Sequence, residues 1–541
     1  MAVITIPVKE FEKEIGKLDE KMQERIAMFG TPVDSINEKD LQIEIFPNRP
    51  DLLSYQGFKR SFLAFLGKKT GIKSYKVLPP KKDYEVNIDS SVKDIRPFTA
   101  CAIIQDLKLD DAKIKEIIDL QEKIHATYGR KRKKAAIGIY PLEKIKLPIN
   151  YKALEPEKIK FTPLEYQKEM SGLEILQKHP AGKEHSHLLA GKIKFPVFTD
   201  SEDKIMSMPP IINSETTGKI TTKTKDVFVE CSGYDLETLK KCLNIIAATL
   251  ADMGGIIYQM KLKYAKPEIT PNLDPKKEKI SLDSANKLLG LELNEKDMKK
   301  LLEKMGHEYE KGQASVPAWR IDIIHEVDLI EDIAIAYGYE NFKEEIPKIS
   351  TIGQENKKES MKRKIAEILE GIEALEVSNY HLTIKRDQFE KMNSQEKQTL
   401  QVKGSKTEYN ILRKNLAHYI LKNFSENVDS EYPQKIFEIG KTFESENENE
   451  KLALGMSPGN FTEIKQALEY LARMLNIHLE IKEPNENLPW FIDGRSAEIC
   501  IKNKPIGFLG EIHPKILKNW KIKMPAALYE IDLEEIFKEF I

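Results

Sequence analysis

PAWRIDIIHEVDLIEDIAIAYGY, residues Pro317 to Tyr339, is the most informative stretch of this 541-residue chain. Read as a helix from about Ile324, it carries Leu329, Ile330, Ile333, Ala336 and Tyr337 as an apolar stripe. Asp328, Glu331 and Asp332 stand at i, i+3 and i+4, a spacing that sets three carboxylates on one helical face. Asp322 arrives from the preceding turn and can join them. Like charges so placed repel one another weakly, and a bound hard cation would turn the repulsion into ligation. Magnesium takes oxygen ligands in octahedral geometry and keeps several waters. The alternative is a solvated acidic face. The helix dipole favours acids only in the first turn, so it does not account for Glu331 or Asp332. Spacing alone leaves both readings open.

Working outward, SLDSANKLLG and NEKDMKKLLEKMG precede this stretch as two helices, and SVPAW follows them as a strand. Together with the acidic helix they suggest a small winged-helix-like unit over residues 271–350. Upstream, residues 86–270 mix strand-like runs (ACAIIQDL, AAIGIY, GKIKFPVF, DVFVEC) with two long helices, AKIKEIIDLQEKIHATYG and LETLKKCLNIIAATLADMGG. This pattern predicts an α+β domain with a mostly antiparallel sheet. YKVLPPKKDYEV and YAKPEITPNLDPKKEK read as the linkers on either side of it. Residues 1–85 open on a strand, Val3 to Val8, followed by a charged helix. Residues 351–541 again mix strands and helices, interrupted by ENENEKLALGMSPGN as an exposed loop. The fold class is therefore α+β and multidomain, in keeping with three or four domains at roughly 150 residues each.

Composition excludes several classes of function. The 85 basic and 86 acidic residues nearly cancel, which argues against coating nucleic acid by bulk charge and leaves room for local basic patches. Cys101, Cys231, Cys242 and Cys500 lie far apart without a C-x-x-C pair, so they read as buried small hydrophobes in a reducing cytosol. The N-terminus lacks a signal-peptide core and no apolar run reaches membrane-span length, so a soluble, cytoplasmic protein is expected. His185 and His187 in KEHSH alternate and read as a surface loop, not a metal pair.

The Pro317–Tyr339 run resembles the small metal-bearing domain of phenylalanyl-tRNA synthetase β subunits of the archaeal and eukaryotic type, and the resemblance extends along nearly the whole chain. It implies that Asp322, Asp328, Glu331 and Asp332 ligate Mg²⁺ at the contact with an α subunit. EIFPNRPDLLSYQG (Glu44 to Gly57) is similar to the family's N-R-P-D-x-x-S motif. Bottom-up, it reads as a turn feeding a helix, with Asp51 at the N-cap and Arg49 able to pair with Glu44. GRKRKKAAIGIYPL (Gly129 to Leu142) puts five basic residues, Arg130 to Lys134, before a strand, as a phosphate-facing cluster or a solvated turn. Pro141 stands where relatives are expected to carry an acid.

YNILRKNL, KIFEIGKTF and GFLGEIHP resemble a class II synthetase-like antiparallel sheet core. No convincing catalytic class II motif set accompanies them, and Arg413 and Arg495 are isolated. The resemblance therefore implies a degenerate, non-catalytic core over 351–541 that scaffolds the α subunit. ATP and the aminoacyl adenylate would bind on α, in an αβ dimer of dimers that takes tRNA-Phe. It also implies that 86–270 is an editing domain hydrolysing tyrosine mischarged onto tRNA-Phe. FPVFTDSEDKIMSMPPIINSETTG and DVFVECSGYD match its pocket-forming strands, which makes Phe198, Ser207, Asn213, Glu230 and Ser232 the expected pocket, with Ser214 next. Glu230 would accept the phenol proton, and Ser207 or Asn213 would orient water or the ester carbonyl. Glu230 and Ser232 stand where relatives tend to have Asp and Thr. Read without the resemblance, Ser207, Asn213 and Ser214 are turn chemistry around Pro209-Pro210.

Overall fold

The computed structural model describes residues 2–540 apart from 348, 446 and 487. The chain divides into two compact units, Met1–Glu345 and Ile346–Ile541. In the first unit the largest of three apolar clusters among the described residues draws on residues from Ile4 to Ala336, so residues of all three expected segments share it.

The unit begins with a three-stranded sheet in which Asp40–Ile45 lies between Ala2–Pro7 and Val33–Ile36. Alternation along Asp40–Ile45 buries Leu41, Ile43 and Ile45. Phe58, Phe62 and Phe65 recur at helical spacing on the Tyr55–Phe65 helix and pack with Phe29. The cap of this helix differs from the expected one. Ser54 Oγ accepts from the Gly57 amide at 3.0 Å, whereas Asp51 is fully buried and held by Arg49 Nε and Nη2 at 2.9 and 2.8 Å. Arg49 thus turns inward to Asp51, not to Glu44, because a buried carboxylate requires a partner that an exposed one does not.

The central sheet is eleven-stranded among the described residues. Its path runs Ile212–Asn213, Ile205–Met208, Phe195–Thr199, Ile149–Leu154, Glu85–Ile88, Ile256–Lys263, Phe98–Gln105, Val227–Gly233, Ala135–Pro141. Pairing is antiparallel except where Glu85–Ile88 meets both its neighbours and where Val77–Leu78 joins Ile256–Lys263. Both stretches read as linkers are therefore partly strand, since Glu268–Thr270 also pairs with Ile256–Lys263. Prolines marked them as linkers, but at a sheet edge proline costs no ladder bond. The Leu236–Asp252 helix covers one face, burying Leu239, Leu243, Ile246 and Leu250 at helical spacing.

A small sheet follows, with Gln313–Val316 between Lys276–Lys279 and Glu308–Glu310. It is accompanied by the helices Leu282–Leu289, Glu295–Lys304 and Glu326–Tyr337. Ser281 and Asn294 cap the first two, and Gly290 at φ 67° ends the first.

The second unit is built on a seven-stranded sheet in the order Leu375–Glu376, Gln434–Glu444, Asn447–Ser457, Ala527–Asp532, Lys504–Ile512, Phe491–Ile501, Glu480–Lys482. Among the described residues only the first pair is parallel. The stretch expected as an exposed loop, 446–460, is mostly the inner strand Asn447–Ser457; Glu446 lies outside the described residues. Its charged first half hid an apolar second half. There Leu452 and Leu454 face the Phe461–Leu475 helix, while Ala453 faces the Ala417–Glu426 helix. Among the described residues no helix is long and apolar enough to cross a membrane, and all four cysteines are free and buried.

A Cβ on Gly57 would lie 2.0 Å from the Asp51 carbonyl oxygen, a backbone atom that cannot swing away. Gly57→Ala should therefore lower stability by about 1–3 kcal/mol, as overpacking does, read as a drop in the thermal midpoint. An unchanged midpoint would refute this account of the turn.

Candidate active site

Strand Val227–Gly233 lies between Phe98–Gln105 and Ala135–Pro141, with Glu230 opposite Cys101 on one side and Gly138 on the other. Alternation sends Val229 and Cys231 into the helix-covered core and turns Phe228, Glu230 and Ser232 to the other face. Gly138 is required there. A Cβ on it would sit 2.3 Å from Tyr140 Oη and 2.6 Å from Glu230 Oε1.

The Tyr140 hydroxyl gathers the expected residues. It lies 2.8 Å from Ser207 Oγ, 3.2 Å from Asn213 Oδ1 and 3.3 Å from Glu230 Oε1. Ser207 is opposite Phe198 in one ladder and Asn213 in the next, which fixes the register that brings both polar groups to Tyr140. Ser232 is reached differently. Arg96, fully buried, donates from Nε to Ser232 Oγ at 3.1 Å and from Nη2 to the Ser232 carbonyl.

A cleft of about 310 Å³ opens onto this cluster, and of the five expected residues only Glu230 and Asn213 line it. Phe198 is fully buried behind it, stacked on Tyr151 with ring centroids 4.4 Å apart. Ser214 bonds to Thr216, away from Tyr140. Tyr140, Arg96, His125 and His179 were not expected. The first two are core-type positions whose partners lie far away in sequence, and only the Gly138-x-Tyr140 alternation beside Glu230 hinted at them.

Burial pushes the Glu230 carboxyl up to about 8, against the opposing pull of Arg96 and the Tyr140 hydrogen bond. Glu230 is thus a neutral acid at neutral pH, and its Oε2 is buried without a partner among the described residues. His179 Nδ1 accepts from the Ala181 amide at 3.2 Å, which places the neutral ring's proton on Nε2. That Nε2 is also buried and without a partner, and His179 lines the same cleft. Burial lowers the His179 pKa, favouring the neutral ring. The cleft therefore offers a carboxylic acid and an imidazole N–H, both uncharged.

The basic run is a turn with Arg130, Lys131 and Lys133 exposed, and Arg132 is the member that is engaged. Arg130, Lys131 and Arg132 take positive φ, and Arg132 reaches Glu122 at 3.0 Å and the Ile211 carbonyl at 2.8 Å. His185, expected in a surface loop, ends the Pro180–His185 helix and is buried, while His187 is exposed.

The acidic helix begins at Glu326, capped by His325 in a box with Asp328. The four expected metal ligands do not converge. Asp322 is held by Arg320 Nε and Nη2 at 3.0 and 2.8 Å. Asp332 turns into the core and meets Arg320 Nη2 and His307 Nε2, each at 2.7 Å. Asp328 accepts from the Ile324 and His325 amides, each at 2.8 Å, and Glu331 is exposed. Among the described residues no group of three or more His, Cys, Asp or Glu is placed to hold a metal ion. The expectation of one shared face fails because i+3 and i+4 diverge by about 100° around a helix of 3.6 residues per turn, and buried Arg320 claims the inner carboxylate.

The fold and its domains define a class: residues 278–339 match the tRNA synthetase B5 domain, residues 106–246 the B3/4 domain, and residues 343–533 the phenylalanyl tRNA synthetase beta chain CLM domain. Phenylalanine–tRNA ligase beta subunits of two archaea match almost end to end. The Archaeoglobus fulgidus protein is 36% identical over 99% of both chains, and that of Thermococcus sibiricus is 39% identical over 91% of this chain and 90% of its own. The crystal structure of an N-terminal fragment of the Pyrococcus horikoshii phenylalanyl-tRNA synthetase beta subunit superposes with a TM-score of 0.59 at 40% identity, covering 62% of this chain and 99% of that fragment. The chain belongs to the phenylalanine–tRNA ligase beta subunit family, and is thus a subunit of a ligase.

Two outcomes follow from the burial of these groups. Wild-type minus Glu230→Gln infrared difference spectra should show a protonated-acid carbonyl band at neutral pH that fades as pH rises through about 8; a carboxylate band at neutral pH would contradict the assignment. Burial works to raise the Asp332 pKa, but Arg320 and His307 outweigh it and hold it at about 2. Its stabilising contribution is therefore present above the ordinary carboxylate range and lost only as pH falls through that low value. Asp332→Ala takes one of two carboxylates from buried Arg320, which keeps Asp322, and leaves His307 Nε2 without its carboxylate; it should cost about 1–3 kcal/mol. Exposed Glu331→Ala should stay within about 0.5 kcal/mol. Equal midpoints for the two variants in denaturant melts would overturn the contrast.

Proposed function

We propose that this chain is the proofreading and scaffolding half of a two-subunit phenylalanine–tRNA ligase, and that the Glu230 cleft hydrolyses tyrosine mischarged onto tRNA-Phe. The observation that carries this reading is Glu230 itself, a buried neutral acid with an unpartnered Oε2 at the cleft. Tyrosine differs from phenylalanine by one hydroxyl, which an apolar pocket rejects poorly. A cleft built to satisfy that hydroxyl inverts the preference, because phenylalanine leaves the acid unpaired. Oε2 receives the phenol. The Tyr140 hydroxyl and Ser207 hold Glu230 Oε1 and Asn213 in place, and the Asn213 amide and the His179 Nε2–H supply donors for the ester carbonyl. Water adds to that carbonyl carbon, the ribose oxygen leaves with a proton, and tyrosine is released.

Aminoacylation is assigned to the α partner, which would bind ATP, phenylalanine and the adenylate. One arginine of the second unit supports this: Arg413 is buried on Glu438 at 2.5 Å and is not left for an ATP phosphate, while Arg495 is exposed and pairs with Glu511 at 2.7 Å. The seven-stranded sheet is read as the degenerate class II synthetase-like core, and the small sheet with its three helices as the winged-helix-like unit. Family membership supports cytoplasmic work in an αβ dimer of dimers. Magnesium has no step here, because a cation shared by Asp322, Asp328, Glu331 and Asp332 would require Asp332 to leave Arg320 and His307.

The test is release of tyrosine from preformed Tyr-tRNA-Phe by the two-subunit complex. Wild type should release it, while Glu230→Ala and Ser207→Ala should each be about a hundredfold slower, the scale of losing one positioned polar group, with phenylalanylation intact. No release by wild type with charging intact would reduce the chain to scaffold and tRNA docking.

A further inference from the structure

A second cavity of the first unit, about 390 Å³ in volume, lies away from the Glu230 cleft. Helix Tyr55–Phe65 supplies one wall, residues 69–73 another, and Asp252, Met305 and Trp319 close it. Its central residue is Arg60, whose side chain is only 6% exposed. Nη1 of Arg60 bonds to the Tyr75 hydroxyl at 3.1 Å and to Asp252. Its Nε and Nη2 are buried without a partner among the described residues. These two atoms form the side-on edge of a guanidinium, which matches the spacing of two oxygens on one carbon or phosphorus. Two neighbouring arginines use that same edge to hold a carboxylate: Arg49 holds Asp51 and Arg320 holds Asp322. Arg60 alone of the three has no oxyanion on that edge, its Asp252 contact being through Nη1.

The surroundings favour a small monoanion. The Asp252 carboxylate faces two cations, Arg60 and Lys73, and also accepts from the Tyr75 hydroxyl. Lys69, on the cavity wall and exposed, makes no ion pair or hydrogen bond through its ammonium among the described residues. Arg60 is held flat by the Trp319 ring, 4.6 Å from its centroid, which fixes the plane of the free edge. Gln56 Oε1, in the same lining, is a buried acceptor without a partner. Unmet buried donors and an unmet buried acceptor in one cavity are the pattern of a site shaped for a ligand.

We propose that this cavity binds a small oxyanion, a carboxylate or phosphoryl group, held bidentately by Arg60 Nε and Nη2. A hydrogen-bond donor on the same molecule reaches Gln56 Oε1, and its apolar body rests against Ile72, Met305 and Trp319. The site is independent of tyrosine release, because none of its residues lines the Glu230 cleft.

Calorimetric titration of the intact two-subunit complex with glycolate, benzoate and inorganic phosphate tests this. At least one probe should bind saturably, one per β chain, at millimolar concentration or below. A preference for the carboxylates or for phosphate identifies the head group. Arg60→Lys keeps the charge but removes the fork and should weaken binding about tenfold or more. Lys69→Glu changes only the exposed mouth and should weaken it several-fold, which keeps the test open if Arg60→Lys does not assemble. Binding must also persist in Glu230→Ala. No saturable heat with any of the three probes, affinity unchanged in both cavity variants, or heat that vanishes in Glu230→Ala would each overturn the proposal.

Discussion

Arg320 cannot be buried without partners, and meeting that requirement shapes the first unit. Its guanidinium binds Asp322, Asp332 and the Met305 carbonyl from inside the protein. A buried ion must recover in close hydrogen bonds what it loses in hydration. Arg320 does so with groups drawn from the end of one helix, from its own loop and from the acidic helix. That helix is therefore rotated so that Asp332 faces inward, and His307 completes the set. The apolar core drives the segments together, since burial of hydrophobic area is the dominant favourable term. The buried stripe Leu329, Ile330, Ile333 and Ala336 turns the same side of the helix inward, and the ion cluster gives the carboxylate that travels with it its partners.

Burial has the opposite consequence at Glu230. Arg96 is as deeply buried as Arg320, yet its hydrogen bonds go to Ser232 and to the Arg132 carbonyl, not to a carboxylate. Glu230 feels Arg96 only through space, and desolvation prevails. At Asp332 the charge of Arg320, bonded to it directly, and a further hydrogen bond from His307 prevail over the same desolvation. One physical cost thus yields a permanently charged structural acid in one place and a neutral, chemically available acid in another. What separates them is where each arginine spends its hydrogen bonds.

That difference also explains what was legible in the sequence. Element identity was largely legible: the Leu282–Leu289, Glu295–Lys304 and Leu236–Asp252 helices follow from periodicity and caps. The Asn447–Ser457 strand was missed because a run of Asn and Glu masked Leu452 to Met456, and the linkers because proline marks a strand edge as readily as a loop. Glu230, Ser207 and Asn213 were legible as a set through family resemblance. Tyr140, which joins them, was not, because a tyrosine in AIGIY reads as an ordinary core residue. Phe198 has the right register but sits behind the cleft, a matter of side-chain depth that no pattern encodes. The four helix-associated acids were legible as a cluster in sequence and are not one in space, since spacing cannot reveal that Arg320, in the same run, is buried and draws Asp322 and Asp332 to itself.

Tyr140 sharpens the chemistry proposed for the cleft. Its phenol has one proton and already stands beside Ser207, Asn213 and Glu230 Oε1, so a second phenol cannot be satisfied by that same face of the acid. Only Oε2 is left for it. As a neutral acid, Glu230 can present either a proton or a carbonyl-type oxygen there, and a tyrosine hydroxyl can meet both. A carboxylate could only accept, and Arg96, whose hydrogen bonds go to Ser232, would offset its charge only through space. The glycine at 138 is part of the same logic. With no Cβ there, Tyr140 Oη can stand 3.3 Å from Glu230 Oε1 and donate to it, which pulls the Glu230 pKa down; burial of the carboxyl prevails over that pull and raises it.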